Sequence, residues 1–320
     1  MREPALFPAP TAPVRHLVHL SGGITSWATG RRVADRHGTD RLALLFADTL
    51  IEDQDNYRFL IEGAADILGL PLSSVADLAE RARALPEDWD ERRPLLFDLG
   101  AEATERLPGF YWIADGRHPW EVFEDERFIG NARRDPCSKH LKRVLLDRWR
   151  REHLDPEDVT VYVGLNWEEP ERLEKLRAAE AKRVAKLKTD TAPWRFEAPL
   201  TDPPWESKPM LMDAARARRV EPPRLYDAKL GHANCGSACV KGGHAHWERV
   251  LHHYPGRYAD WERREMVLME ELGSEWGILN DRSGGTRTPL TLKDFRERLE
   301  ADTTDYDELD FGPTCGCALF

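Results

Sequence analysis

Three apolar residues, Leu17, Val18 and Leu20, run straight into Ser21-Gly22-Gly23, and the residues after Ile24 take up helical spacing. A short buried strand cannot continue comfortably through paired glycines, which favour a tight turn. The run through Trp27, Arg31, Val33 and Ala34 reads as a helix. Strand, glycine turn and helix start together make a place for an anion, because free N–H groups point outward there and the helix dipole favours negative charge. Many α/β proteins make the same turn and bind nothing, so shape alone supplies a site and no ligand.

The α/β pattern continues along the chain. Leu42-Ala43-Leu44-Leu45-Phe46-Ala47 reads as a second buried strand ending in Asp48-Thr49, and a helix is expected from Tyr57 to Leu68. Leu70 to Val75 reads as a short strand, and the charge-rich residues from Pro86 to Arg93 as surface or a mobile segment. A helical run from Leu141 to Glu152 precedes a third strand at Thr160 to Leu165, and a mixed-charge helix runs from Glu171 through Lys188. This alternation predicts an α/β fold: a Rossmann-like parallel sheet flanked by helices, with a mainly helical C-terminal extension. Within that extension, aromatic residues from Trp247 to Trp261 suggest a helical cover, residues 281–287 a loop, and Thr291 the cap of a short helix.

Composition narrows the class. With 320 residues, 41% of them hydrophobic and 11 tryptophans among them, the chain can bury a large core. It has no apolar run of membrane-spanning length, and MREPALFPAPTAP lacks a signal peptide's apolar segment, so a cytoplasmic protein without a membrane partner is expected. A net charge of −11 argues against broad nucleic-acid binding. Five widely spread cysteines, an odd number, suggest metal or redox chemistry more than a disulfide framework.

The loop Ser21-Gly22-Gly23-Ile24-Thr25-Ser26 resembles the SGGxxS pyrophosphate loop (PP-loop) of the adenine nucleotide alpha-hydrolase superfamily. Further features follow in the superfamily's order. Phe46-Ala47-Asp48-Thr49 resembles the second-strand end that holds the adenosine part. Cys137-Ser138-Lys139-His140-Leu141-Lys142 resembles the cysteine-plus-lysine segment of the phosphoadenylyl-sulfate (PAPS) reductase branch, and Gly164 to Arg172 its later glycine, acidic and arginine segment. The similarity covers roughly residues 14 to 205. It implies ATP or an adenylyl sulfonucleotide bound at Ser21, Gly22, Gly23, Thr25, Ser26, Asp48 and Thr49. Lys142 and Arg172 would then neutralise phosphate charge in the transition state. Asp48 also reads as a helix N-cap, and either cation as an ordinary surface charge. Ile24-Thr25 stands where many relatives carry a charged or lysine-containing pair.

Cys235 and Cys239 lie four positions apart in Asn234-Cys235-Gly236-Ser237-Ala238-Cys239, a spacing that lets both face one metal, with Cys137 as a third ligand. The other reading makes them small buried residues or incidental thiols. One branch of the reductase family holds a 4Fe-4S cluster through a Cys-Cys pair and a Cys-x-x-Cys. This chain departs from both spacings, and zinc with His140, His244 or His246 is the lesser alternative. The chain closes on Cys315-Gly316-Cys317, after an acidic run from Asp302 to Asp310. Family members end on a catalytic cysteine in a flexible segment, which makes Cys315 and Cys317 candidates for a mobile nucleophile or a fourth ligand. The usual family ending is absent.

The organisation read from these features is a flexible arm over 1–13, a nucleotide-binding domain over 14–230, a cysteine-containing helical extension over 231–300 and an acidic linker with its tail over 301–320. The resemblance implies an enzyme of sulfur metabolism. It would be a sulfonucleotide reductase or an ATP-dependent sulfur transferase, served by a thiol reductant protein or a sulfur donor. The alternative is a non-catalytic nucleotide-binding component of a nucleic-acid modification or defence complex.

Overall fold

The computed structural model describes residues 3–187, 191–281 and 285–301. Its centre is a five-stranded, wholly parallel sheet in the order β3-β2-β1-β4-β5. The strands are β1 (His16–His19), β2 (Leu42–Asp48), β3 (Phe110–Ala114), β4 (Thr160–Tyr162) and β5 (Arg195–Glu197). All seven residues of β2 and all five of β3 are buried, as expected of parallel strands covered on both faces. His16 pairs with Leu42 on one side and Thr160 on the other, so β1 is the strand from which the sheet grows in both directions.

On one face pack α1 (Ile24–His37), α2 (Gln54–Ile67), α3 (Ala76–Arg83) and α4 (Trp89–Arg106), around Val18, Leu44, Phe46, Ile61 and Trp112. Beyond β3 comes α5 (Pro119–Glu126), then a single turn α6 (Pro136–Ser138). A π-helical stretch, Lys139–Val144, leads from it into α7 (Leu145–His153). The opposite face is covered by α7 and α8 (Pro170–Leu187), through Leu146, Trp149, Leu173 and Leu176 against Leu17, Val161 and Phe196. After α9 (Lys208–Ala217), the C-terminal region folds around a core of its own. Trp247, Tyr258 and Trp261 fill that core from α10 (His244–His253) and α11 (Pro255–Leu272). A hairpin of β6 (Leu279–Asp281) and β7 (Thr288–Leu290) and helix α12 (Leu292–Ala301) close it. The architecture is the α/β sheet with helical extension expected from the sequence.

Local expectations fare differently. Residues 72–75 form a 3₁₀ turn in place of a strand, because Pro71 starts the turn and Ser74 bonds back to its carbonyl. Of the stretch read as surface or a mobile segment, Glu87, Asp88, Asp90 and Glu91 are exposed, but residues 89–93 open helix α4, capped by the Asp88 carboxylate, which accepts from Asp90 and Glu91 N–H. Thr291 caps α12 through the Asp294 N–H, as read. The N-terminal segment read as a loose arm is pinned: Leu6 bridges Ala114, and Trp149 donates to the Pro8 carbonyl. Among the described residues no helix is long and apolar enough to cross a membrane. The Asp302–Asp310 linker, Cys315 and Cys317 lie outside the described residues.

Candidate functional site

Strand order reverses between β1 and β4, and open parallel sheets place ligands outside the carboxyl ends of the strands at such a point. A cleft of about 820 Å³ lies there. One wall is the Ser21, Gly23, Thr25 and Ser26 loop after β1, and another is Val163, Gly164 and Asn166 after β4. The far side comes from Lys208 at the start of α9 and from Tyr226, Lys229 and Asn234. A Cβ on Gly164 would sit 2.9 Å from the Ser26 backbone, so only glycine lets β4 approach the start of α1 this closely.

The loop holds its own shape. Ser26 Oγ accepts from Ser21 N–H at 3.1 Å and donates to the Gly23 carbonyl at 2.8 Å, and Ser21 Oγ donates to Ser26 Oγ at 3.2 Å. The Ser26 hydroxyl is therefore spent on bracing the turn, and Ser21, only partly buried, is the more exposed of the two serines on the cleft wall. Gly22 is left-handed (φ 76°) and a Cβ there would meet Asn56 Nδ2 at 2.7 Å. Gly23 is extended, and a Cβ would meet Tyr226 Oη at 3.4 Å and Asn234 Oδ1 at 3.8 Å. Tyr226 Oη accepts the Ile24 N–H, and burial pushes its pKa up to about 12, so the phenol keeps its proton at neutral pH. Asn56 Oδ1 and Asn234 Oδ1 are buried with no hydrogen-bond partner among the described residues. A half turn of the Asn234 amide would present its NH₂ to a phosphate at Gly23, whereas the Asn56 amide is held the way it points by its Nδ2 bond to Glu52.

Behind Gly22 the same Asn56 leads into a buried charge network. Glu52 is fully buried and accepts from Asn56 Nδ2 and Thr49 Oγ1, each at 3.3 Å, and from the Cys235 N–H. Lys142 Nζ stands 3.4 Å from Glu52 Oε1 and 3.8 Å from Cys235 Sγ. Thr49, Lys142 and Cys235 thus meet, but none of them lines the cleft. Asp48 is buried too, accepting from Tyr57 Oη at 2.7 Å, Leu50 N–H at 2.8 Å and Trp112 Nε1 at 3.1 Å. Burial raises its pKa to about 6 against the pull of those donors. It caps no helix; Asp53 caps α2.

Arg172 lines the cleft and donates to Glu169, while Lys208 donates to the Gly231 carbonyl at 2.6 Å, with burial lowering its pKa. Among the described residues no group of three or more His, Cys, Asp or Glu side chains is arranged to hold a metal ion. Cys235 turns to Lys142 through a left-handed backbone, while Cys239 is buried and Cys137 packs against the C-terminal core. Cys137, Cys235 and Cys239 are thus not gathered into such a group among the described residues. Asn56, Glu52, Tyr226, Asn234, Lys208 and Lys229 were not singled out in the sequence. Each is an ordinary polar residue until the fold brings it to the loop.

No protein-family model, curated protein or solved structure matches this chain.

Proposed function

We propose that the chain is an adenine-nucleotide enzyme of the PP-loop kind, binding ATP or an adenylyl sulfonucleotide by its phosphates at Ser21–Ser26. The observation that carries this reading is the position of the glycine loop. It follows the central strand, at the point of order reversal, and forms the wall of a large cleft with cations opposite it. Ser21, the backbone at Gly23 and the amide of Asn234 would receive phosphate oxygens. Arg172, Lys208 and Lys229 would balance their charge, with Glu168 and Glu169 limiting the excess. Lys142, paired with Glu52, would act on the loop only through Asn56 and is better suited to holding that wall rigid than to meeting a phosphate.

Two reactions suit such a cleft: attack on the α-phosphorus by water or an acceptor's oxygen, which expels pyrophosphate, or reduction of a sulfonucleotide to sulfite and AMP by two thiols, which leave as a disulfide. Incubation of the protein with ATP, and separately with adenylyl sulfate plus dithiothreitol, distinguishes them by assay of pyrophosphate and of sulfite. Pyrophosphate release would identify the first and sulfite release the second. Saturable binding of nucleotide with neither product would favour the non-catalytic alternative. Absence of any nucleotide binding would overturn the proposal.

A further inference from the structure

A second chamber, of about 290 Å³, opens on the other face of the sheet and shares two lining residues, His19 and Val163, with the large cleft. Its walls are mixed. Phe196, Leu176 and Ala179 give it an apolar side, and Arg150 underlies it with its guanidinium 5.3 Å from the ring centroids of both Trp194 and Phe196. Four cations line the chamber (Lys139, Arg143, Arg150 and Arg183) against two carboxylates, Asp147 and Glu180. The balance is positive in a chain whose net charge is −11.

Two buried donors here lack acceptors. Arg150 Nη1 lies 3.5 Å from His19 Nε2, and a guanidinium can only donate, so Nε2 accepts and the proton of the neutral imidazole sits on Nδ1. Burial, followed by the Arg150 charge, holds the His19 pKa well below its ordinary value, which keeps the ring neutral. His19 Nδ1 and Arg150 Nε are nevertheless both buried with no hydrogen-bond partner among the described residues, on residues only 7% and 6% exposed. Leaving a buried donor unpaired costs about 1–3 kcal/mol each, so two such donors in one positively balanced chamber call for an acceptor from outside.

We infer that this chamber is a binding site for a small organic carboxylate with an apolar body: the carboxylate meets Arg150 and His19, and the body lies against Phe196 and Leu176. A cation would meet the wrong charge, and a fully apolar guest would leave both donors unpaired. The inference stands whether or not the neighbouring cleft takes a nucleotide, because Arg150, Phe196 and Leu176 belong to the chamber alone.

Benzoate is the probe, with benzylamine as its counterpart of opposite charge, followed by ligand-observed NMR titration and calorimetry on the full chain. Benzoate should bind saturably and benzylamine should not. Arg150→Gln should weaken benzoate at least about tenfold, the worth of one charge-assisted hydrogen bond. Asp147 keeps Arg151 as a partner at 2.8 Å in that variant. Ala179→Trp, at an exposed position on α8, fills the chamber without disturbing the core and should abolish binding even where Arg150→Gln fails to fold. Both variants should bind ATP as the wild type does. No saturable benzoate binding, equal binding of benzylamine, or benzoate binding unchanged in Ala179→Trp would each overturn the inference. Loss of ATP binding in the wild type, with benzoate retained, would count against the nucleotide reading alone.

Discussion

Lys142 shows how burial reassigns a residue that the sequence offers for catalysis. The residue is 4% exposed and its ammonium faces Glu52, which is wholly buried, so each charge depends on the other for compensation. Removing one partner of such a pair strands the other, at a typical cost of about 3–5 kcal/mol. Lys142→Met should therefore lower stability by roughly that amount in urea unfolding. Lys175→Met, which breaks an exposed pair with Glu171, should cost under about 1 kcal/mol. Equal, small effects would contradict the assignment of Lys142 to the framework. Cysteine reactivity is a second test at this scale. Cys235 is partly exposed beside the Lys142 ammonium and Cys239 is buried, so iodoacetamide should modify Cys235 before Cys239 in the native protein. Peptide mass spectrometry over time reads the order, and faster labelling of Cys239 would contradict it.

Elements carry the parts of the account that sequence made legible. The strand–loop–helix unit at 16–37 and the apolar run of β2 could be read directly, because continuous burial leaves a continuous apolar signature. β3 carries the same signature in Phe110-Tyr111-Trp112-Ile113-Ala114, bounded by Pro108-Gly109 and Asp115-Gly116, and the rule applied to β2 would have found it. β5 is three residues long with one buried, too short for a periodic signal. The site was legible on the loop side and hidden on the other. Tyr226 and Asn234 reach the loop from about two hundred residues away, and no local pattern marks a tyrosine that will accept the Ile24 N–H. Gly164 joins the two halves. Gly164→Ala should push β4 off the start of α1, costing about 1–3 kcal/mol and weakening nucleotide binding along with it. An alanine variant with wild-type melting and wild-type affinity would contradict that role.

For the whole molecule, the sheet and the C-terminal region have separate cores, and the second is organised around a buried carboxylate. Glu265 of α11 accepts the Ile278 N–H ahead of β6 and the Leu292 N–H at the start of α12, both at 2.6 Å. Burial raises its pKa from 4.5 to about 7 despite those two bonds. A carboxyl raised on folding holds its proton more tightly in the folded state. Its contribution to stability is then complete below pH 4.5 and is lost as pH climbs through about 7. Glu265→Gln has no proton to lose there, so the wild type's melting temperature relative to the variant should fall between those two values. A difference that stays flat or rises with pH would contradict the assignment.

The central claim is that the loop between β1 and α1 receives a nucleotide's phosphates. Gly23 is the position to change, since its backbone is extended and the nearest atoms to an added Cβ lie 3.4 Å away or more, which leaves the fold room for a side chain. The branches of a valine there would occupy the space that phosphate oxygens need. Isothermal titration of ATP into the wild type and into folded Gly23→Val is the decisive measurement. Saturable binding to the wild type that disappears in the variant, with circular dichroism and melting unchanged, is the predicted result. No binding to the wild type, or equal affinity in folded Gly23→Val, would contradict the account.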